Sequence, residues 1–142
     1  MDRSALLKNK ILVVGCGRFG ASIANQYSLK GKNVMVIDNE ESSFDKLSEN
    51  FQGYKFVGDC TDISVLRNAN IETANTIIIT TGSDNANILI AHIARKIFDV
   101  PEIYVRLDEP ESETLLKGMK IKAIFPFELS FDEFERLGGN KI

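Results

Sequence analysis

The sequence has little of what metal or nucleophile chemistry needs. Its 142 residues carry two cysteines, Cys16 and Cys60, and a single histidine, His92. Two cysteines so far apart give neither a zinc-ligand spacing nor a disulfide framework. They read as two small buried thiols, with redox sensing as the alternative. His92 falls inside a helical pattern, away from strand ends, and reads as packed or surface-lying. No Ser-His-Asp set and no paired metal ligands occur, so no catalytic residue is assigned. No apolar run approaches the ~18–20 residues of a membrane span. The opening MDRSALLKNK lacks the apolar core and cleavage site of a secretory signal, which makes a cytoplasmic protein the expectation. Basic residues are scattered and the net charge is −3, which argues against nucleic acid as a partner. Repeats, low-complexity runs and internal linkers are missing too, so the chain reads as one domain.

What is present is an alternation of strand-length apolar runs with helical patterns. Strands are expected at Lys10–Gly15, Asn33–Asp38, Tyr54–Gly58, Asn75–Thr81, Glu102–Leu107 and Lys122–Phe125. The first is a continuous Ile-Leu-Val-Val, as required when both faces of a strand are covered. Helices are expected over Arg18–Lys30, with Gly31 at a left-handed cap, and from Asp84 to Phe98. A further helix, capped by Ser42 or Ser43, would carry Phe44, Leu47 and Phe51 on its apolar face. Shorter helices are expected from Thr61 or Asp62 to Leu66 and over Glu111–Lys117. An amphipathic one over Glu128–Leu137 has Leu129, Phe131 and Phe134 apolar. Such an alternation predicts an α/β, doubly wound Rossmann fold with a six-stranded parallel sheet, its ligand across the carboxyl ends of the strands. The boundaries are an N-terminal arm over 1–9, the Rossmann domain over 10–137 and a flexible tail over 138–142.

The chemistry gathers at the strand ends. Gly15-Cys16-Gly17-Arg18-Phe19-Gly20 lies between a strand and a helix, the context a phosphate-cradling GxGxxG loop requires. Gly15 permits the turn, Gly17 lets a phosphate approach the backbone, and Gly20 lets the helix pack closely. Asp38, about 20 residues on and followed by Asn39, is placed to accept ribose hydroxyls and to repel a 2′-phosphate. Arg18 can pair with phosphate oxygens, although a cation is disfavoured at a helix start. In Gly58-Asp59-Cys60-Thr61-Asp62, Thr61 or Asp62 is a plausible helix cap, which leaves Asp59 as the ligand candidate. In Thr80–Asp84, Ser83 and Asp84 read as caps, while Thr81 and Gly82 can face phosphates. Arg106 is either a second cation at the same edge or half of a surface ion pair. Three readings stand: a nucleotide-sensing module, the cofactor domain of an NAD-dependent oxidoreductase, or an assembly module that holds a nucleotide constitutively for stability. Against the second, 142 residues leave no room for a substrate domain.

The segments VVGCGRFG, VIDNEES, VGDCTD, IITTGSDNANI and YVRLDEPESETLLKGM, closed by AIFP, resemble the N-terminal domain of the RCK/KTN family over residues 9–137. These are regulators of potassium conductance, including cytoplasmic subunits of Trk and Ktr uptake systems. The resemblance implies a non-enzymatic domain that binds NAD(H) or an adenine nucleotide (ATP, ADP or AMP). It implies homodimers assembling into rings under a membrane channel or transporter, held at the inner face of the membrane by that partner and gating ion flow as nucleotides exchange. Carried over residue by residue, Gly15, Gly17 and Gly20, with Cys16 and Phe19 between them, form the phosphate loop. Arg18 reads phosphate, Asp38 and the adjacent Asn39 meet the ribose, and Asp59 and Cys60 match the adenine loop. Thr81 and Gly82 form the opposite wall, and Arg106 matches a position that is often basic. The family often has Pro-Glu after the last strand. Here Phe127 follows Pro126 and Glu128 comes one residue late, so that glutamate's role is not carried over. Relatives often continue into a second domain, so the chain is either a single-domain subunit or the first half of a longer protein.

Overall fold

Alternate residues of the strands point to opposite faces, and in this chain both sets are apolar. Leu12 and Val14 enter one core with Ile37, Ile77 and Ile79, while Ile11 and Val13 enter another with Val34, Val36 and Ile78. Such a chain is stable only as a middle layer. The computed structural model describes residues 8–139 and places them in that arrangement. Six parallel strands, β1 (Lys10–Val14), β2 (Asn33–Asp38), β3 (Tyr54–Val57), β4 (Ala74–Ile79), β5 (Glu102–Arg106) and β6 (Lys122–Ile124), lie in the order β3-β2-β1-β4-β5-β6. The helices are α1 (Arg18–Leu29), α2 (Ile63–Asn68), α3 (Asp84–Lys96) and α4 (Pro126–Gly138).

The chain reverses its direction of travel across the sheet between β1 and β4. From β1 it leaves through α1 on one face, and from β4 through α3 on the other. Doubly wound folds hold their ligand crevice at such a reversal, above the carboxyl ends of both strands. The two faces are unequally covered. On the α3 face, α2, α3 and the 3-10 turns Ile71–Thr73 and Pro110–Leu116 cover the strands from end to end. On the α1 face, α1 and the turn Glu41–Lys46 cover β1 and β2. Beyond them Ile78, Tyr104 and Ile124 line an open groove of about 310 Å³ beside Ile23 and Tyr27.

The expected elements are found, with two corrections. The helix expected from Ser42 or Ser43 to Phe51 is a single 3-10 segment, Glu41–Lys46, with no side-chain cap. Only Phe44 and Leu47 are buried there, and Phe51 lies in the loop beyond. The helix expected over Glu111–Lys117 is likewise a 3-10 segment, Pro110–Leu116. Both end on i→i+3 bonds, the Leu47 N–H to the Phe44 carbonyl and the Lys117 N–H to the Thr114 carbonyl. Gly31 adopts φ +73°, the left-handed cap expected of it. Helix α4 runs through Gly138, with Gly139 at φ +64° as its cap, so the start of the expected tail is ordered helix end. The expected arm lies outside the described residues except for Lys8 and Asn9, and so does the tail beyond Gly139.

Candidate functional site

The glycine loop is built by contact. Gly15 has φ +96°, and a Cβ there would sit 2.6 Å from the carbonyl oxygen of Thr80 at the end of β4. At Gly20 a Cβ would fall 2.0 Å from the Gly15 carbonyl oxygen. No side chain fits either position. Gly17 differs: its backbone is extended (φ −80°), and nothing lies within 4 Å of the space a Cβ would take. The N-terminus of α1 has no side-chain cap, so its N–H groups face that open space with the helix dipole behind them. This geometry suits an anion.

Asp38 closes the loop from the side. Its Oδ2 accepts the Cys16 N–H at 2.8 Å and its Oδ1 accepts the Glu40 N–H at 2.9 Å. Each carboxylate oxygen retains capacity for one more donor. Asp38 is half-buried, and Asn39 beside it is exposed. Cys16 itself has 0% exposure, so only its backbone belongs to the loop. Burial, with the Asp38 charge second, pushes its thiol pKa up. Cys60 also packs in the core, and burial, then Asp38 and Asp59, push it up to about 12. Neither thiol presents the thiolate that redox chemistry needs.

The other predicted residues divide into two groups. Thr81 and Gly82 follow β4 across the crevice from the glycine loop, and Gly82 has open space around it. Arg106 ends β5 beside them. Among the described residues its Nε is buried with no acceptor, and its one ion-pair contact is Nη2 to Asp108 Oδ1 at 3.5 Å. Asp59, by contrast, follows β3, two strands away from β1. It is exposed, and its Oδ1 accepts both the Thr61 N–H at 2.9 Å and the Thr61 hydroxyl at 2.7 Å. Those bonds hold its carboxyl below the ordinary carboxylate range. The expectation that Asp59 has no local duty is thus corrected: it shapes its own loop. Asp62 is the cap of α2, accepting the Ser64 N–H at 2.8 Å. Arg18 and Phe19 begin α1. Arg18 is exposed and lines an outer groove with Ser22, Asn25, Gln26 and Lys46, and it enters no ion pair among the described residues. His92 lies away from the crevice, its Nε2 2.8 Å from the Leu115 carbonyl oxygen.

Two residues of the crevice wall are absent from the expected site. Asn87 has 1% exposure and bridges Thr81 and Arg106, and Asp84 accepts from the backbone beyond Arg106. The signal for Asn87 was an amide on the inward face of a helix, a position where an apolar residue is the default. Asp84 was read only as a possible cap; Ser83 is the cap, its hydroxyl accepting from Ala86 N–H at 3.2 Å.

The TrkA-N domain profile matches residues 11–126, which contain every element of this site. The Trk system potassium uptake protein TrkA of Streptomyces coelicolor is 31% identical over 126 residues, covering 89% of this chain and 56% of that protein. Among solved structures, the GsuK RCK domain superposes with a TM-score of 0.78 at 25% identity, over 92% of this chain and 28% of that one. GsuK bound to ADP gives 0.77 at 25% identity, over 95% of this chain and 35% of that one. The chain spans about half the length of the curated relatives it matches. It belongs to the TrkA-N domain family.

Proposed function

We propose that this chain is the nucleotide-binding regulatory domain of a potassium uptake system or channel, and that it acts by binding rather than by catalysis. The observation that carries this reading is the glycine loop. Gly15 and Gly20 are closed to any side chain, while Gly17, the N-cap residue of α1, stands open. The TrkA relative supports the potassium-transport context and the ADP-bound GsuK structure supports an adenine nucleotide as ligand. In this reading phosphates lie on the N–H groups at the start of α1, and Asp38 adds ribose hydroxyls to the two N–H groups it already holds. Thr81, Gly82 and Arg106 form the opposite wall. Asp38 suits the ribose of NAD(H) and of ATP, ADP or AMP alike.

Regulation requires a ligand that favours one conformation over another. Arg18, at the loop and in no ion pair among the described residues, is the group that would count phosphates, favouring ATP over ADP. The membrane protein of the transport system is the partner, and the domain meets it from the cytoplasmic side. A second copy of the chain is the other partner, covering the apolar side chains of α4.

Calorimetric titration with ATP, ADP and NAD tests the reading. Saturable binding of at least one is expected, with Arg18→Ala reducing the ATP-to-ADP affinity ratio more than the affinity for ADP. Equal loss for both nucleotides overturns the role of Arg18. Consumption of NADH on adding candidate substrates would favour the oxidoreductase alternative.

A further inference from the structure

A buried amide inside a helix needs partners, and Asn87 has four. Its Oδ1 accepts the Thr81 N–H at 3.0 Å and the Thr81 hydroxyl, and its Nδ2 donates to the Thr81 carbonyl at 3.1 Å and the Arg106 carbonyl at 2.9 Å. That exhausts the hydrogen-bonding capacity of the side chain. One residue of α3 therefore pins the backbone at the ends of β4 and β5 together. Asp84, one turn earlier, extends the grip: Oδ1 accepts the Asp108 N–H and Oδ2 the Glu109 N–H, each at 2.9 Å. The backbone at Arg106 and just beyond it is thus held from the same helix.

The side chain launched from that point is under-partnered. Arg106 is 29% exposed, its Nε is buried without an acceptor, and its one ion-pair contact is at 3.5 Å. A desolvated donor without an acceptor is costly, and an anion meeting the exposed part of the weakly paired guanidinium gains a charge-assisted hydrogen bond. A fully satisfied bridge thus supports an unsatisfied cation at the rim of the crevice. We propose that Asn87 is a positioning residue, with Asp84 its support, that holds Arg106 where its guanidinium meets a phosphate of the nucleotide bound between the β1 and β4 loops. This rests on the nucleotide-binding reading above. Asn87 does not itself touch the ligand, because it is buried and its polar atoms are all engaged.

The test is calorimetry with adenosine and with ADP on the wild type, Asn87→Asp, Asp84→Ala, Arg106→Ala and the double variant Asn87→Asp/Arg106→Ala, each well below its melting temperature. The ADP-to-adenosine affinity ratio reads the phosphate contacts alone, since a smaller folded fraction weakens both ligands equally. Asn87→Asp keeps the shape but removes the donor to the Thr81 and Arg106 carbonyls and adds a charge, whose direct effect on the phosphate the double variant separates. It should lower the ratio about tenfold with adenosine affinity held within about twofold. In the Arg106→Ala background it should lower the ratio no further. Asp84→Ala should lower the ratio about threefold, and it decides the matter if Asn87→Asp fails to fold. An unchanged ratio in the folded variants overturns the inference, as does a full additional drop in the double variant. A wild type that binds neither ligand overturns the nucleotide reading and this inference with it. A wild type that binds both, beside variants with unaltered ratios, overturns this inference alone.

Discussion

The two faces of the sheet are made from the same strands by the same alternation, yet only one is fully covered among the described residues. On the α3 face Leu12, Ile77, Ile79, Ile103 and Val105 are all at 1% exposure or less. On the α1 face Ile11, Val13 and Val36 are buried as well, but beyond α1 the side chains of Ile78, Tyr104 and Ile124 line an open groove. Helix α4 is unfinished in the complementary sense. None of its residues is buried, and Phe127, Leu129, Phe131, Phe134 and Leu137 are each at least half exposed. An exposed apolar surface this large is the kind that other molecules cover. The covered face is packed within the domain, while the other face and α4 leave apolar side chains exposed. Between them, where β1 and β4 part to opposite faces, sits the glycine loop.

The sharpest way to break this comparison is to truncate one apolar side chain on each face. Ile79→Ala on the covered face should cost about 3–4 kcal/mol in urea denaturation, and Ile124→Ala beside the groove about 1 kcal/mol or less. Similar losses at both would mean that the faces are equally finished.

At the seam, glycine replacements should separate folding from binding. Gly20→Ala forces a methyl into the Gly15 carbonyl and should destabilise the fold by about 3 kcal/mol. Gly17→Ala meets no atom and keeps an ordinary backbone, so its melting temperature should stay within a few degrees of wild type. A thermal melt of the pair decides this. Equal destabilisation would show that Gly17 is structural.

A smaller effect comes from the buried thiol at the end of β3. Folding raises the Cys60 pKa from an ordinary 9.0 to about 12, because burial and the Asp38 and Asp59 charges disfavour the thiolate. The stability this group contributes is complete below about pH 9 and is lost as pH rises through about 12. Cys60→Ala should therefore flatten the alkaline fall of melting temperature between those values. A fall as steep as that of the wild type would contradict the burial of the thiol.

The smallest effect on stability is expected on α4. Phe131→Ser should leave the thermal melt of the isolated chain nearly unchanged, because the side chain packs on little, while weakening self-association measured by sedimentation. A large drop in melting temperature would mean that α4 docks on its own domain.

The sheet and the glycine loop were legible because both are written in residue type. Strands buried on both faces must be continuously apolar, and Gly15 and Gly20 are glycines because a Cβ would overlap backbone. Asp38 was legible for the same reason, as the acidic residue that ends the second strand. The loop after β3 was harder. Asp59 looked free because a turn in which a carboxylate bonds the residue two ahead leaves no periodic trace. Asn87 was missed because its partners, Thr81 and Arg106, lie on different strands and meet only after the sheet forms. Long-range polar bridges of this kind carry no spacing to read. The amphipathic pattern of α4 was visible, but amphipathicity says only that a face will be covered and not by what.

Whether the space above Gly17 holds the phosphates of a nucleotide is read most directly by calorimetric titration of ADP into the wild type and Gly17→Ala, with thermal melts run alongside. Saturable binding to the wild type is expected, with an affinity at least about tenfold lower for the variant, which melts within a few degrees of it. Undiminished ADP affinity in a folded Gly17→Ala chain would contradict that placement of the phosphates.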